Sequence, residues 1–281
     1  MTRGTSEAID LLIRAFCREG KDNIVTTAPT FSMYGHYAVV QGAAQRNVDT
    51  RPENDFAVDM DALLAACDRQ TRLIFVCSPN NPTGTLVPRM DLVDLLERRG
   101  DRSAIVVDEA YIEFADVPSA VELLDRYPNL VVLRTLSKAL AFAGARCGAV
   151  MGPVEVIRIL NAIQAPYAMS TPVVECVEDA LQSAALDEAS GRIAAVVAER
   201  ERLMAAMSSF GFVATVWPSA ANFFLIRVAD STAVLRDARK KGILLRDFGS
   251  SLPGCIRITV GSRSENDRLL ALFTGIAGGD A

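Results

Sequence analysis

Lys138 stands at the end of Arg134-Thr135-Leu136-Ser137-Lys138, with an apolar run after it and then Arg146-Cys147-Gly148. An amine between small hydroxyls and apolar neighbours is poorly solvated, which lowers a lysine's pKa and frees it as a nucleophile. Arg146 cannot lose its proton and forks well onto phosphate. Such a set suits a carbonyl cofactor that carries a phosphate, and pyridoxal 5′-phosphate (PLP), held as a lysine Schiff base, is the leading candidate. A surface lysine at the start of a helix is the competing reading, and for an arbitrary lysine the commoner one. The rest of the chain decides between them by supplying, or failing to supply, the other groups PLP needs.

Two further segments carry such groups. Ser78-Pro79-Asn80-Asn81-Pro82-Thr83-Gly84 follows the apolar run 72–77, and its prolines and glycine fix a turn. Asn81 is thereby held with its amide free to bond a ligand. In Val107-Asp108-Glu109-Ala110-Tyr111 the acid Asp108 ends an apolar strand, and a buried carboxylate needs a partner. A protonated pyridine nitrogen is such a partner, and the pairing keeps the ring an electron sink. Tyr111 lies within reach of a ring oxygen, and Thr135, Ser137 and Arg146 are placed to hold a phosphate while Lys138 takes the carbonyl. Each has an ordinary alternative: a plain turn for Asn81, a helix cap for Asp108, packing for Tyr111.

The elements that must position these groups alternate. Ile9, Leu12, Ile13 and Phe16 fall at i, i+3, i+4, i+7, predicting an amphipathic helix over 6–18 with Gly20 as a stop. Strands are predicted at 23–27, 44–48, 72–77, 104–108, 130–134 and 147–151, and helices at 32–41, 59–67 and 88–99. The strand runs read as apolar throughout, the pattern of parallel strands buried on both faces. The fold class is α/β, a mostly parallel open sheet with helices on both faces. In such sheets ligands sit at the carboxyl ends of strands, where all three segments fall. After about residue 185 the style changes. A charged helix over 187–210 leads to strands at 212–217, 222–228, 243–246 and 255–260, with helices at 231–241 and from Ser264. This predicts a large domain over 1–185 and a smaller C-terminal α+β domain over 186–281.

Composition narrows the function classes. The chain has 281 residues, half of them hydrophobic, and a net charge of −5, which leaves no electrostatic footprint for nucleic acid. No apolar run reaches membrane-spanning length and no signal peptide is visible. The cysteines are scattered without a CxxC and read as reduced residues of a cytoplasmic protein. His36 is the only histidine, which excludes multi-histidine metal sites and argues against serine- or cysteine-hydrolase chemistry. No metal is expected.

The order of the motifs, asparagine, then aspartate and tyrosine, then serine-lysine, then arginine, resembles the aspartate-aminotransferase-like superfamily, the fold-type I PLP enzymes. Within it the chain is similar to the histidinol-phosphate aminotransferases. The phrases that carry this are Leu12–Cys17, Ser78–Gly84, Asp108–Phe114, Arg134–Lys138, Ala165–Pro172, Asn222–Leu225 and Arg257–Gly261. The resemblance implies a PLP-dependent aminotransferase acting on L-histidinol phosphate with 2-oxoglutarate, in histidine biosynthesis. It implies Lys138 as Schiff-base lysine and proton shuttle, Asp108 at the pyridine nitrogen, and Asn81 and Tyr111 on the ring oxygen. Thr135, Ser137 and Arg146 would bind the phosphate, with the backbone N–H groups of Thr5 and Ser6 at a helix N-terminus. Phe31 stands where the family usually stacks a tyrosine on the ring, which keeps the stacking and loses a hydroxyl. Arg257 would bind the substrate carboxylate, with Asn222 in support. A homodimer is implied, because the family's sites form at a dimer interface.

The chain also begins late relative to the family, which carries an N-terminal arm before the turn at Gly4. A truncated or fragmentary chain is the expectation, leaving substrate closure and dimer stability as open consequences. An aromatic amino-acid aminotransferase, a threonine-phosphate decarboxylase and a PLP-binding remnant with little turnover are the alternatives.

Overall fold

The computed structural model describes residues 1–279. The chain begins α1 (Gly4–Phe16), β1 (Asn23–Ala28), α2 (Met33–Gln41), β2 (Ala44–Asp49), α3 (Met60–Ala65), β3 (Thr71–Cys77), α4 (Arg89–Arg99) and β4 (Ala104–Asp108). It continues with β5 (Leu130–Thr135), β6 (Gly148–Met151), α5 (Val154–Ile163) and α6 (Thr171–Ala180). The first six strands form one sheet in the order β2-β1-β3-β4-β5-β6, with a core on each face. Leu73, Phe75 and Cys77 face α1 and α2, while Ile74 and Val76 face α3 and α4. This period-2 split explains why β3 reads as unbroken apolar sequence. On β4 the same alternation puts Val106 on the α1–α2 face, and Asp108 follows it there. The helical stripe is also present: Ile9, Leu12 and Ile13 of α1 are fully buried, each contributing about 2 kcal/mol.

The rest of the chain is α7 (Ser183–Met207), β7 (Val213–Val216), β8 (Phe223–Val228), α8 (Ser231–Lys240), β9 (Arg246–Asp247), β10 (Cys255–Thr259) and α9 (Arg263–Gly278). Its strands form a separate antiparallel sheet, β7-β8-β10-β9. Leu203, Phe224, Ile226, Ile256, Ile258 and Phe273 form its core. Ser262 and Glu265 close a capping box at the start of α9. The line at 185/186 falls within the first turn of α7. The two sheets are tied by Ala220 N donating to Gly84 O at 2.9 Å and Trp217 Nε1 to Pro52 O at 3.1 Å. Buried Arg200 donates to Phe114 O at 3.3 Å and Ala221 O at 3.0 Å.

Four expectations need correction. β6 runs antiparallel to β5, not parallel: the segment between them carries only a 3₁₀ turn at Ala143–Ala145, so the chain doubles back at one end of the sheet. β2 is not apolar throughout: it is an edge strand on which only Val48 is buried. The strand expected at 243–246 shrinks to the two residues of β9. Ile243 and Leu245 pack against the small core as side chains without joining a ladder. The long helix runs Ser183–Met207 rather than 187–210, and α5 and α6, unread from the sequence, precede it.

Candidate active site

One cavity collects the carboxyl ends of β3, β4 and β5. Its walls include Thr5, Ser6, Phe31, Asn81, Asp108, Tyr111, Thr135, Ser137, Lys138 and Arg146. Cys77, Ala110 and Ala143 line it as well. Ten of the twelve residues singled out from the sequence thus share a single wall. Arg257 and Asn222 are outside it.

At one end the backbone is shaped for an anion. The first N–H groups of α1 lack intrahelical partners, as at every helix start. Gly4 holds φ +77°, which strains any other residue, and a Cβ there would lie 2.7 Å from Arg146 Nη2 and push the guanidinium aside. Arg146 Nη1 donates to Ala143 O at 3.0 Å and reaches Ser137 Oγ at 3.4 Å. No acidic side chain pairs with Arg146 among the described residues. Thr135 Oγ1 accepts from Ser137 N at 3.2 Å, fixing the turn that carries Lys138. An unpaired arginine, a hydroxyl and free helix N–H groups fit a phosphate.

The other end is dry. Asp108 is 2% exposed, and its register neighbour on β3 is Cys77. Its carboxylate accepts from Tyr34 Oη at 2.9 Å and Ala110 N at 3.2 Å. Burial pushes its pKa up to about 6, against the pull of those two donors. A buried carboxylate with no ion-pair partner among the described residues suits a cationic ring nitrogen. The residues present therefore fit PLP at both ends.

Lys138 lies between them. The residue lines the cavity and is exposed by area, yet desolvation of its amine lowers its pKa, with the charges of Arg257 and Arg146 acting the same way and Asp108 opposing. Lys138 Nζ stands 5.5 Å from the centre of the Tyr111 ring, which meets Phe223 edge-on at 5.0 Å. Burial raises the pKa of Tyr111, so its hydroxyl keeps its proton. The Ser78–Gly84 turn is held by Asn80, whose Oδ1 accepts from Thr30 and whose Nδ2 donates to Pro29 O and Thr83.

The structure revises the setting of Asn81. Its amide oxygen, expected to be free for a ligand, accepts from Arg257 Nη1 at 2.6 Å. This contact brings Arg257 to the edge of the cavity from the other sheet. Its guanidinium lies 4.7 Å from the Phe223 ring centre, and burial lowers its pKa, with Tyr111 opposing and Arg246 adding to the lowering. Arg257 and Arg246 are register partners on β10 and β9. Asn222, just before β8, is not among the cavity's lining residues, and its carbonyl accepts from Val260 N at 2.9 Å. Sequence reasoning missed Tyr34, Cys77 and Arg246. The available signal for Tyr34 was a tyrosine at an apolar helical position, since a buried hydroxyl requires a partner.

The protein-family model for class I and II aminotransferases matches residues 1–273. The chain is 42% identical over 278 residues to a histidinol-phosphate aminotransferase of Xylella fastidiosa, covering 98% of this chain and 76% of that protein. It is 41% identical to the histidinol-phosphate aminotransferase of Yersinia enterocolitica, covering 100% of this chain and 75% of the relative. Among solved structures it is similar to histidinol-phosphate aminotransferase from Sinorhizobium meliloti in complex with pyridoxal-5′-phosphate. That match has a TM-score of 0.88 at 25% identity and covers 100% of this chain and 77% of the other.

Proposed function

The chain belongs to the class I and II aminotransferase family, and from that membership we propose PLP-dependent transamination of L-histidinol phosphate with 2-oxoglutarate. The observation that carries the reading is the single cavity that pairs an anion cradle with a buried, cation-seeking carboxylate, with a lysine between them whose pKa is lowered from the ordinary value. Bound PLP supplies an electron sink for the carbon that loses its proton.

Each residue then has a role in this reading. Arg146, Ser137, Thr135 and the N–H groups of Thr5 and Ser6 bind the cofactor phosphate. Asp108 holds the proton on the ring nitrogen. Asn81 and Tyr111 bond the ring oxygen, and Phe31 covers a ring face. Lys138, neutral more readily than an ordinary lysine, would hold the cofactor through its carbonyl and carry the substrate Cα proton on Nζ. Arg257 forks onto the acceptor's carboxylate, and the donor, which has no carboxylate at Cα, offers its phosphate there instead. Arg246 beside it adds a second cation suited to a dianion. Asn222 supports Arg257 from the start of β8.

In the same reading residues 1–185 form the PLP-binding domain and 186–281 the smaller domain. A homodimer is supported by apolar residues left exposed on α2 and α5, namely Val39, Val40, Val154 and Ile159. A cytoplasmic setting is supported by the cysteines, all free thiols. Sedimentation of the purified protein tests the dimer.

The test of function is spectroscopic. Purified protein mixed with PLP should gain visible absorbance that Lys138→Ala removes. Adding L-histidinol phosphate should then shift the spectrum to that of the amine form, and 2-oxoglutarate should restore it. Protein that stays colourless sinks the cofactor assignment. Protein that colours but responds only to aromatic amino acids sinks the substrate assignment.

A further inference from the structure

Tyr34 lies behind the cavity wall. It is fully buried on α2, with its ring stacked on Phe75 at 4.7 Å and 16° and met edge-on by Phe31 at 5.6 Å and 87°. The ring has no room to swing, so its hydroxyl is aimed. It donates to Asp108 Oδ2 at 2.9 Å across a separation of 74 residues. Cys77 is within hydrogen-bonding reach of the same hydroxyl. A thiol is a weak partner, which leaves the phenolic proton directed at the carboxylate.

Packing does not account for this oxygen. Phe31 and Phe75 beside it are phenylalanines, so a third phenylalanine would fill the same space. What the hydroxyl adds is a hydrogen bond to a carboxylate that has no charged partner among the described residues. Its only other donor among the described residues is Ala110 N, at the longer distance of 3.2 Å. A hydrogen bond to an ionised group in a dry site is stronger than one between neutral groups.

We propose that Tyr34 is a positioning residue that keeps the Asp108 carboxylate ionised and oriented toward the ring nitrogen of the cofactor. The inference rests on the PLP reading above. Tyr34 touches neither cofactor nor substrate and acts through Asp108. Without its hydroxyl, Asp108 becomes more basic. The proton shared between carboxylate and ring nitrogen then moves toward the carboxylate, and the ring loses part of its positive charge.

The experiment uses the full chain loaded with PLP labelled with ¹⁵N in the ring. In the wild type the ring resonance should sit at the protonated-pyridine position. In Tyr34→Phe it should move toward the neutral position, and the dissociation constant for PLP should rise about tenfold. A role confined to packing would lower the melting temperature and leave the resonance in place, which would overturn the proposal. If Tyr34→Phe does not fold, 4-aminophenylalanine in place of Tyr34 keeps the ring shape with a weaker donor. A smaller shift in the same direction is then expected, and an unmoved resonance overturns the proposal. Wild-type protein that takes up no PLP overturns the cofactor reading and this inference together. A protonated ring in the wild type that stays unchanged in the variants overturns this inference alone.

Discussion

At one end of the cavity Arg146 spreads an exposed guanidinium over Ser137 and the first turn of α1. At the other, Asp108 is closed in beneath Tyr34 and Cys77. The first end has several donors, the side chains of Arg146, Ser137 and Thr135 and the first N–H groups of α1, each replaceable by its neighbours. The second has a carboxylate that is 2% exposed and held by two donors. Charges in a high-dielectric setting are screened, and those in a dry one are felt in full. Losses should therefore be shallow at the phosphate end and steep at the ring-nitrogen end, with Lys138, between them, steeper still.

Lys138→Ala should reduce turnover by about 10⁴-fold or more, because it removes both the covalent anchor and the proton carrier. A coupled transamination assay checks this. A loss under about tenfold would contradict the proposed role. Asp108→Asn should reduce turnover by about 10²–10³-fold, the scale seen when a preorganised electrostatic group is lost. A loss at Asp108 no larger than that at Arg146 would break the contrast between the ends.

The dry end should also reveal itself in stability without cofactor. Asp108 is raised from 3.8 to about 6 in the folded protein. Between those values the folded state binds more protons than the unfolded one. The contribution of this group is therefore full below about pH 4 and lost as pH rises to about 6, by up to about 3 kcal/mol. Melting curves of the apoprotein across that window should show this component in the wild type and not in Asp108→Asn. Asp22, Asp68 and Glu199, whose pKa values are lowered, contribute in the opposite sense to both proteins alike.

Arg146→Lys should weaken PLP binding by only about tenfold, since a point charge replaces a fork and the helix N–H groups remain. Titration of the apoprotein with PLP measures it. The smallest effect belongs to Ala141, in the loop that carries Arg146, which holds φ at +59°. Ala141→Gly should relieve about 1 kcal/mol of strain and return part of it as chain entropy, for a net gain of about 0.5 kcal/mol in thermal unfolding.

Much of the large sheet was readable because its signals are contiguous. Arg72–Cys77 is apolar over the length of a strand, and the Pro and Gly of Ser78–Gly84 stop it at the right place. Helices α5 and α6 escaped although they do carry an apolar period in the sequence, as at Val156, Ile157, Leu160 and Ile163 of α5, but burial does not follow it: Leu160 alone is buried in α5, and Val177 and Ala180 in α6. The period was there to be read, and it leaves open what these helices pack against. The reversed direction of β6 escaped for a different reason. A short apolar run such as Gly148–Met151 carries no mark of its orientation, which the connection before it sets.

The sequence by itself determined which residue types stand at the ends of β3, β4 and β5. Local sterics and solvation act within a few residues and leave their trace in Pro79 and Pro82, in Gly84, and in a carboxylate at the end of an apolar run. Only the tertiary structure decided that Tyr34 reaches Asp108, that Arg257 docks on Asn81 across 176 residues, and that Arg146 packs over Gly4. Those contacts follow from the order of strands and the packing of one sheet against the other. No local signal encodes that order, because any of several strand arrangements would bury the same apolar surface.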